Sequence, residues 1–320
     1  MSSRTWLITG VSSGFGKEMA RQLLERGDQV IGTVRNVDKV KDLIDEYRDA
    51  FVCEILDMTD IPAIHRLVDR SFERLGRIDV VVSNAGYGLF GAAEELSDAE
   101  IRDIIATNLV GSIQLIKSAL PHLRVQGGGR IIQISSYGGQ VAFPGNSLYH
   151  ATKFGIEGFC ESIAQEVKPF NIGVTIVEPG GARTEFRYGS AKVAHLLPAY
   201  DGNPAHAFLK MLDAANGQAP GDPARMAARI IESVDREPAP LRMVLGSQAL
   251  ASTISTLKAR VSDFETQAEK DDVVAGHALD SALDLRPASL AELRLGDVGR
   301  LLVVHGILLH RIDAEGVSSD

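Results

Sequence analysis

Trp6-Leu7-Ile8-Thr9-Gly10-Val11-Ser12-Ser13-Gly14-Phe15-Gly16 is the stretch on which the fold reading turns. Its first four residues are an apolar run that suits a buried strand. Residues 17–26 carry a helical pattern. Strand, glycine-rich turn and helix together are the layout of a dinucleotide phosphate site. Glycine lets the backbone approach a pyrophosphate, and a helix N-terminus favours negative charge. Here the spacing is Gly-x-x-x-Gly-x-Gly, and a tight turn alone would account for two of the three. The motif gains its weight from standing between a first strand and a helix.

Outward from that turn, strand-like segments recur at residues 29–33, 50–56, 78–82, 130–134, 171–177 and 241–245, with helical patterns between them. This alternation predicts an α/β fold: a doubly wound, parallel, seven-stranded sheet with helices on both faces. Ligands then belong at the carboxyl ends of the strands. Residues 1–270 read as one catalytic domain. Within it, residues 185–223 are punctuated by Pro198, Pro204, Pro220 and Pro223 and by four glycines, the texture of a lid or substrate wall. Residues 271–320 read as a C-terminal extension for packing or dimer contact; His305 and His310 there have no company that would make a metal site.

The second strand ends at Val34-Arg35, and no acid occurs between Gln29 and Val37. An acid would bond the ribose 2′-hydroxyl of NAD, whereas an arginine accommodates the 2′-phosphate of NADP. NADP(H) is the expected cofactor, with NAD(H) possible. Asp57, followed by Met58 at the end of the third strand, is a candidate acceptor for the adenine amino group. The helical pattern at 98–120 holds Asn108 in its middle, a poor helix residue, which calls for a solvent-facing position, a kink or a buried polar network.

The fifth strand leads into Ser135-Ser136-Tyr137-Gly138-Gly139, and the next helix carries Tyr149 and Lys153. Positions i and i+4 share a helix face. An ammonium beside a phenol favours the phenolate and lowers its pKa from about 10. The Ser136 hydroxyl could bind the oxygen that receives the proton. A second Tyr-x-x-x-Lys, Tyr188 and Lys192, has Thr175 at the same upstream offset. Context separates the two sets. Ser136 closes its apolar run, whereas Thr175 lies inside one and is expected to be buried mid-strand.

The chain has 320 residues, a formal net charge of −9 and two cysteines, Cys53 and Cys160. The acidic balance argues against nonspecific binding to nucleic acid or anionic lipid. The cysteines read as buried free thiols of a reducing compartment. No leader-like start and no run of 18 apolar residues is seen, so a cytoplasmic protein without a membrane span is expected.

Taken in order, Thr9-Gly10-x3-Gly14-x-Gly16, Asn84-Ala85-Gly86, Asn108, Ser136, Tyr149-x3-Lys153 and Pro179-Gly180 resemble the short-chain dehydrogenase/reductase family over roughly residues 4–250. The resemblance implies a Rossmann-type NAD(P)-dependent oxidoreductase interconverting a ketone or aldehyde and an alcohol. It implies Tyr149 as general acid/base, Ser136 holding the substrate oxygen, and Lys153 lowering the Tyr149 pKa and bonding the nicotinamide ribose. Asn108 would hold a water behind Lys153 through a distorted helix. Gly10, Ser12, Ser13, Gly14, Phe15, Gly16, Asn84, Ala85, Gly86, Pro179, Gly180 and Thr184 would line the cofactor. Phe90, Val141, Phe143 and Phe186 stand near the site and suggest an apolar substrate. Family members are commonly dimers or tetramers, so a homo-oligomer is implied. A cofactor-binding sensor without turnover is the alternative. Ser83, where the family often has another Asn, and Gly181-Ala182, where a β-branched residue commonly follows, are the departures.

Overall fold

The computed structural model describes residues 3–213 and 219–268, so the expected extension at 271–320, with His305 and His310, lies outside the described residues. Met1–Val261 is one compact unit, and Ser262 begins a second.

The strands are β1 (Thr5–Thr9), β2 (Gln29–Val34), β3 (Phe51–Ile55), β4 (Val80–Ser83), β5 (Leu89–Phe90), β6 (Gly129–Ile134), β7 (Ile172–Pro179), β8 (Lys192–Val193) and β9 (Arg242–Leu245). Seven form one sheet in the order β3-β2-β1-β4-β6-β7-β9, every neighbouring pair parallel. The order reverses between β1 and β4, which creates a crevice at their carboxyl ends. Helices α1 (Gly14–Glu25), α2 (Lys41–Tyr47), α3 (Ile61–Leu75), α4 (Asp98–Ile105), α5 (Gly111–Val125), α6 (Ser147–Val167), α7 (Glu185–Tyr188), α8 (Pro204–Leu209), α9 (Pro223–Ser233) and α10 (Ser247–Ala268) alternate with them.

Side chains alternate across a strand, and β1 buries both of its faces. Trp6 and Ile8 point into a core with Met19 and Leu23 of α1 and Ile230 of α9. Leu7 enters a second core with Ile64 and Leu67 of α3, Leu115 of α5 and Ile156 of α6. That is why the run reads as continuously apolar. Helix starts follow side-chain chemistry. Asp60 accepts from the Ala63 N–H at 2.9 Å to open α3, and Ser97 with Glu100 forms a capping box on α4.

Two features go beyond the sequence expectation, which for the first of them is a kink or distortion at Asn108. The helix predicted over 98–120 is α4 and α5 joined by a π-helical turn, Ala106–Val110, with Asn108 inside it. By length and composition Asp98–Val125 would suffice to cross a membrane, since an 18-residue window within it has a mean hydropathy of 1.2. Its apolar face instead packs within the fold through Ile104, Leu115, Ile116, Ala119 and Leu123. The second feature is a parallel ribbon, β5 with β8, pairing Leu89 with Lys192 and Phe90 with Val193. Two-residue strands are too short to show a period in sequence.

Candidate active site

The turn after β1 passes through Gly10 (φ 74) and Gly14 (φ 55), left-handed positions that suit glycine. Gly16 is needed for a different reason. A Cβ there would lie 2.3 Å from the Gly10 carbonyl oxygen and 2.6 Å from Asn84 Nδ2. Asn84 braces the turn by donating from Nδ2 to the Thr9 and Gly10 carbonyls at 2.8 and 3.1 Å. The N–H groups of Asn84 and Ala85 both donate to Thr9 Oγ1. Ser13 caps α1 without a side-chain bond, and no acid sits in the first turn. The positive end of this helix is therefore not neutralised by the chain's own first-turn side chains. Thr184 stands across Gly14. Ser12, Ser13, Gly14 and Phe15 thus form a shallow cradle with free N-terminal amide dipoles, and it fits a dinucleotide pyrophosphate.

Arg35 is exposed just past the end of β2. Asp57 Oδ1 accepts from the Thr59 N–H at 2.9 Å and its hydroxyl at 2.8 Å. These bonds, with the Arg35 charge adding to them, hold its carboxyl below the usual carboxylate range. Met58 differs from expectation, because its side chain is packed in the core and only its backbone could face a ligand. Among the departures noted in sequence, Ala182 is buried and bridges to Gly221. Gly180 donates to the Leu245 carbonyl at 2.8 Å, and Pro179 is the buried end of β7.

Ser136, Tyr149 and Lys153 converge past the end of β6. All three are buried, at 9%, 8% and 5% exposure. Ser136 Oγ accepts from the Gly138 N–H at 3.0 Å, and its hydroxyl lowers the pKa of the Tyr149 phenol. Lys153 Nζ donates to the Ile134 carbonyl at 2.9 Å and lies 5.7 Å from the centre of the Tyr149 ring. Burial pushes the Tyr149 phenol up; the Ser136 bond opposes this, while Tyr137 and Glu157 add to it. Lys153 was expected to lower this pKa. In the structure its ammonium donates one bond to a carbonyl, which leaves two of its three N–H donors for other acceptors. The phenol is protonated at neutral pH.

Burial also pushes Lys153 down to about 8, opposed by Glu157. Unfolded lysine keeps its proton to about 10.4. Between these values the unfolded chain binds a proton that the native state lacks, so this group makes stability rise with pH. We expect Lys153→Met to flatten that part of the stability curve, measured by denaturant melts between pH 7.5 and 9.5. An unchanged slope would show that Lys153 does not titrate in this window.

Asn108 is 1% exposed, and the π turn aims its amide at one backbone unit. Oδ1 accepts from the Tyr87 N–H at 3.0 Å and Nδ2 donates to the Tyr87 carbonyl at 2.8 Å. The side chain therefore fixes the loop after β4. The second Tyr-x-x-x-Lys is split by the fold. Tyr188 ends α7, Lys192 is exposed in β8, and Thr175 is buried within β7.

Aromatic side chains wall the site. Phe90 and Phe186 approach the Tyr149 ring at centroid distances of 6.2 and 5.6 Å. Phe143 lies tilted against Tyr137 with ring centroids 5.3 Å apart, and Val141 is buried. Sequence reading missed Phe208, 5.5 Å from Phe90, because it is brought in from α8 by long-range packing. It also missed Glu95, which is buried and accepts from the Ala92 and Leu197 N–H groups and from His206. Glu95 thereby fastens Leu197 and His206 to the turn after β5. The described histidines, cysteines and carboxylates include no cluster able to hold a metal.

Residues 4–192 match the family model for short chain dehydrogenases. A 3-ketodihydrosphingosine reductase of Bacteroides thetaiotaomicron is 34% identical over 252 residues, covering 77% of this chain and 89% of that one. A short-chain dehydrogenase from Streptomyces avermitilis superposes with a TM-score of 0.76 at 37% identity, covering 87% and 98% of the two chains. The structure of ElxO with NADP bound superposes with a TM-score of 0.62 at 26% identity, covering 76% and 98%.

Proposed function

The chain belongs to the short chain dehydrogenase family, and from that premise we propose that this NAD(P)-dependent oxidoreductase prefers NADP(H) and reduces apolar ketones or aldehydes. The observation that carries the reading is the convergence of Ser136, Tyr149 and Lys153 beside the glycine cradle, under an aromatic wall. When bound, the reduced nicotinamide supplies a hydride. The chain's residues manage the proton and the charge. Ser136 holds the carbonyl oxygen by its hydroxyl. Tyr149 donates its proton to that oxygen as negative charge builds there. At neutral pH the phenol carries the proton that the reducing direction needs. Lys153, still mostly ammonium at neutral pH, supplies a positive charge behind the phenol and a donor for a ribose hydroxyl. The Ser12–Gly16 turn would hold the pyrophosphate, and Asp57 and Asn84–Gly86 would border the adenosine half.

The apolar substrate class rests on Phe90, Phe143, Phe186 and Val141, now joined by Phe208. A relative named as a 3-ketodihydrosphingosine reductase agrees with it. NADP(H) preference rests on Arg35, exposed at the β2 end with no acid beside it in sequence. The same reading includes a cytoplasmic homodimer or homotetramer built on the helices that carry Asn108 and Tyr149.

The test is oxidation of NADPH and NADH in parallel against a panel of apolar ketones and aldehydes. We expect NADPH to be favoured, with Arg35→Ala cutting that preference by about tenfold or more, the scale of one charge-assisted hydrogen bond. An NADH preference would keep the enzyme and discard the role of Arg35. Tight cofactor binding without turnover on any carbonyl compound would favour a silent sensor instead.

A further inference from the structure

Tyr149 and Lys153 do not end their face of α6. One turn further on stands Glu157, 1% exposed. Its Oε1 accepts from the Ser135 hydroxyl at 2.5 Å, one residue before Ser136. Its Oε2 accepts from Gln140 Nε2 and, at 2.6 Å, from Arg242 Nη1. Gly139 makes room for this carboxylate: a Cβ there would lie 1.9 Å from Glu157 Oε1. Arg242, on β9, also donates to Glu178 at 2.6 Å and to Glu161 at 2.9 Å. Glu178 precedes Pro179 on β7 and keeps Oε2 buried without a partner. The cluster therefore ties together the end of β6, the Tyr137–Gly139 turn, α6, the end of β7 and β9. These are the segments that carry Ser136, Tyr149, Lys153 and Pro179.

Three carboxylates around one guanidinium are a poor device for stability. Desolvating ions costs several kcal/mol each, and apolar replacements often do as well or better. A different use follows from the placement. We propose that Glu157, clamped by Arg242 and seated against Gly139, is a positioning residue that sets the Ser135–Ser136 strand end and holds the Lys153 ammonium beside Tyr149. The inference rests on the reading of Ser136, Tyr149 and Lys153 given above. Charged or titratable groups around it are Tyr149, Lys153, Cys160 and Glu161 on α6, Tyr137 after β6, Glu178 on β7 and Arg242 on β9. Glu157 counters the burial that strips the Lys153 proton, so its charge matters most near and above neutral pH.

The experiment compares the wild type with Glu157→Gln, Glu157→Ala and Gly139→Ala in the full chain. Glu157→Gln keeps the shape and removes the charge. The alkaline limb of kcat is expected to move down by about one pH unit, the shift produced by roughly 1.4 kcal/mol of interaction. The Lys153 titration, followed by NMR in lysine-labelled protein without cofactor, is expected to move the same way. Glu157→Ala and Gly139→Ala, which also displace Ser135, are expected to lower kcat by about tenfold to a hundredfold with little change in KM, as misplacement near the chemistry does. Gly139→Ala keeps the test open if Glu157→Ala does not fold. A merely structural Glu157 would lower the melting temperature and leave both the pH limb and the Lys153 titration in place, which overturns the proposal. Tyr149→Phe in the same assay separates the two readings. If it keeps turnover, the site assignment fails. If it is inactive while the Glu157 variants match the wild type, only the positioning role fails.

Discussion

Tyr149→Phe is expected to cut carbonyl reduction by about a thousandfold, within the range that a positioned general acid contributes. The substitution removes one oxygen and keeps the ring among Phe90 and Phe186, so fold and cofactor binding should survive. NADPH binding, followed by fluorescence, is expected to stay within about threefold of the wild type, a difference under 1 kcal/mol. Because burial holds the wild-type phenol protonated, that enzyme should keep its acid to high pH. A variant that retains a tenth or more of the turnover would show that the proton comes from elsewhere.

Gly16→Ala is expected to damage both stability and cofactor binding. The added Cβ meets the Gly10 carbonyl and the Asn84 amide, neither of which is the loose end of a flexible chain. Either α1 moves away from the turn or Asn84 releases the carbonyls it braces. Overpacking of this kind costs about 1–3 kcal/mol, which for a chain of this size lowers the melting temperature by about 2–4 °C per kcal/mol. NADPH binding should weaken by about tenfold or more, because each 1.4 kcal/mol of lost phosphate contact is a factor of ten. Thermal melts and cofactor titration check both parts. A variant that melts and binds like the wild type would remove the close-approach argument for Gly16.

These predictions draw unequally on sequence and structure. The glycine spacing marked the turn, but that two glycines serve φ and the third serves contact with Asn84 is visible only across the sheet. Asn108 stood out as a poor mid-helix residue. The π turn and the Tyr87 backbone that its amide grips are the reason it is there. Of the aromatic wall, Phe90, Phe143 and Phe186 were named because each lies close in sequence to a site motif. Phe208 was missed because no local signal links α8 to β5.

What the sequence determined by itself is the alternation of strands and helices, the parallel sheet they build, and the choice of Ser136, Tyr149 and Lys153 as candidates. Periodicity, turn chemistry and i,i+4 spacing are local, and a single chain displays them. What only the tertiary structure decided is electrostatic and long-range. It settled that the Lys153 ammonium donates to the Ile134 carbonyl and lies 5.7 Å from the centre of the Tyr149 ring. It also settled that Arg242 reaches Glu157, Glu161 and Glu178 from a strand far along the chain. Burial sets the sign and size of such effects. Burial is a property of the packed whole, because whether a charge meets water or a carbonyl depends on segments that sequence distance keeps apart.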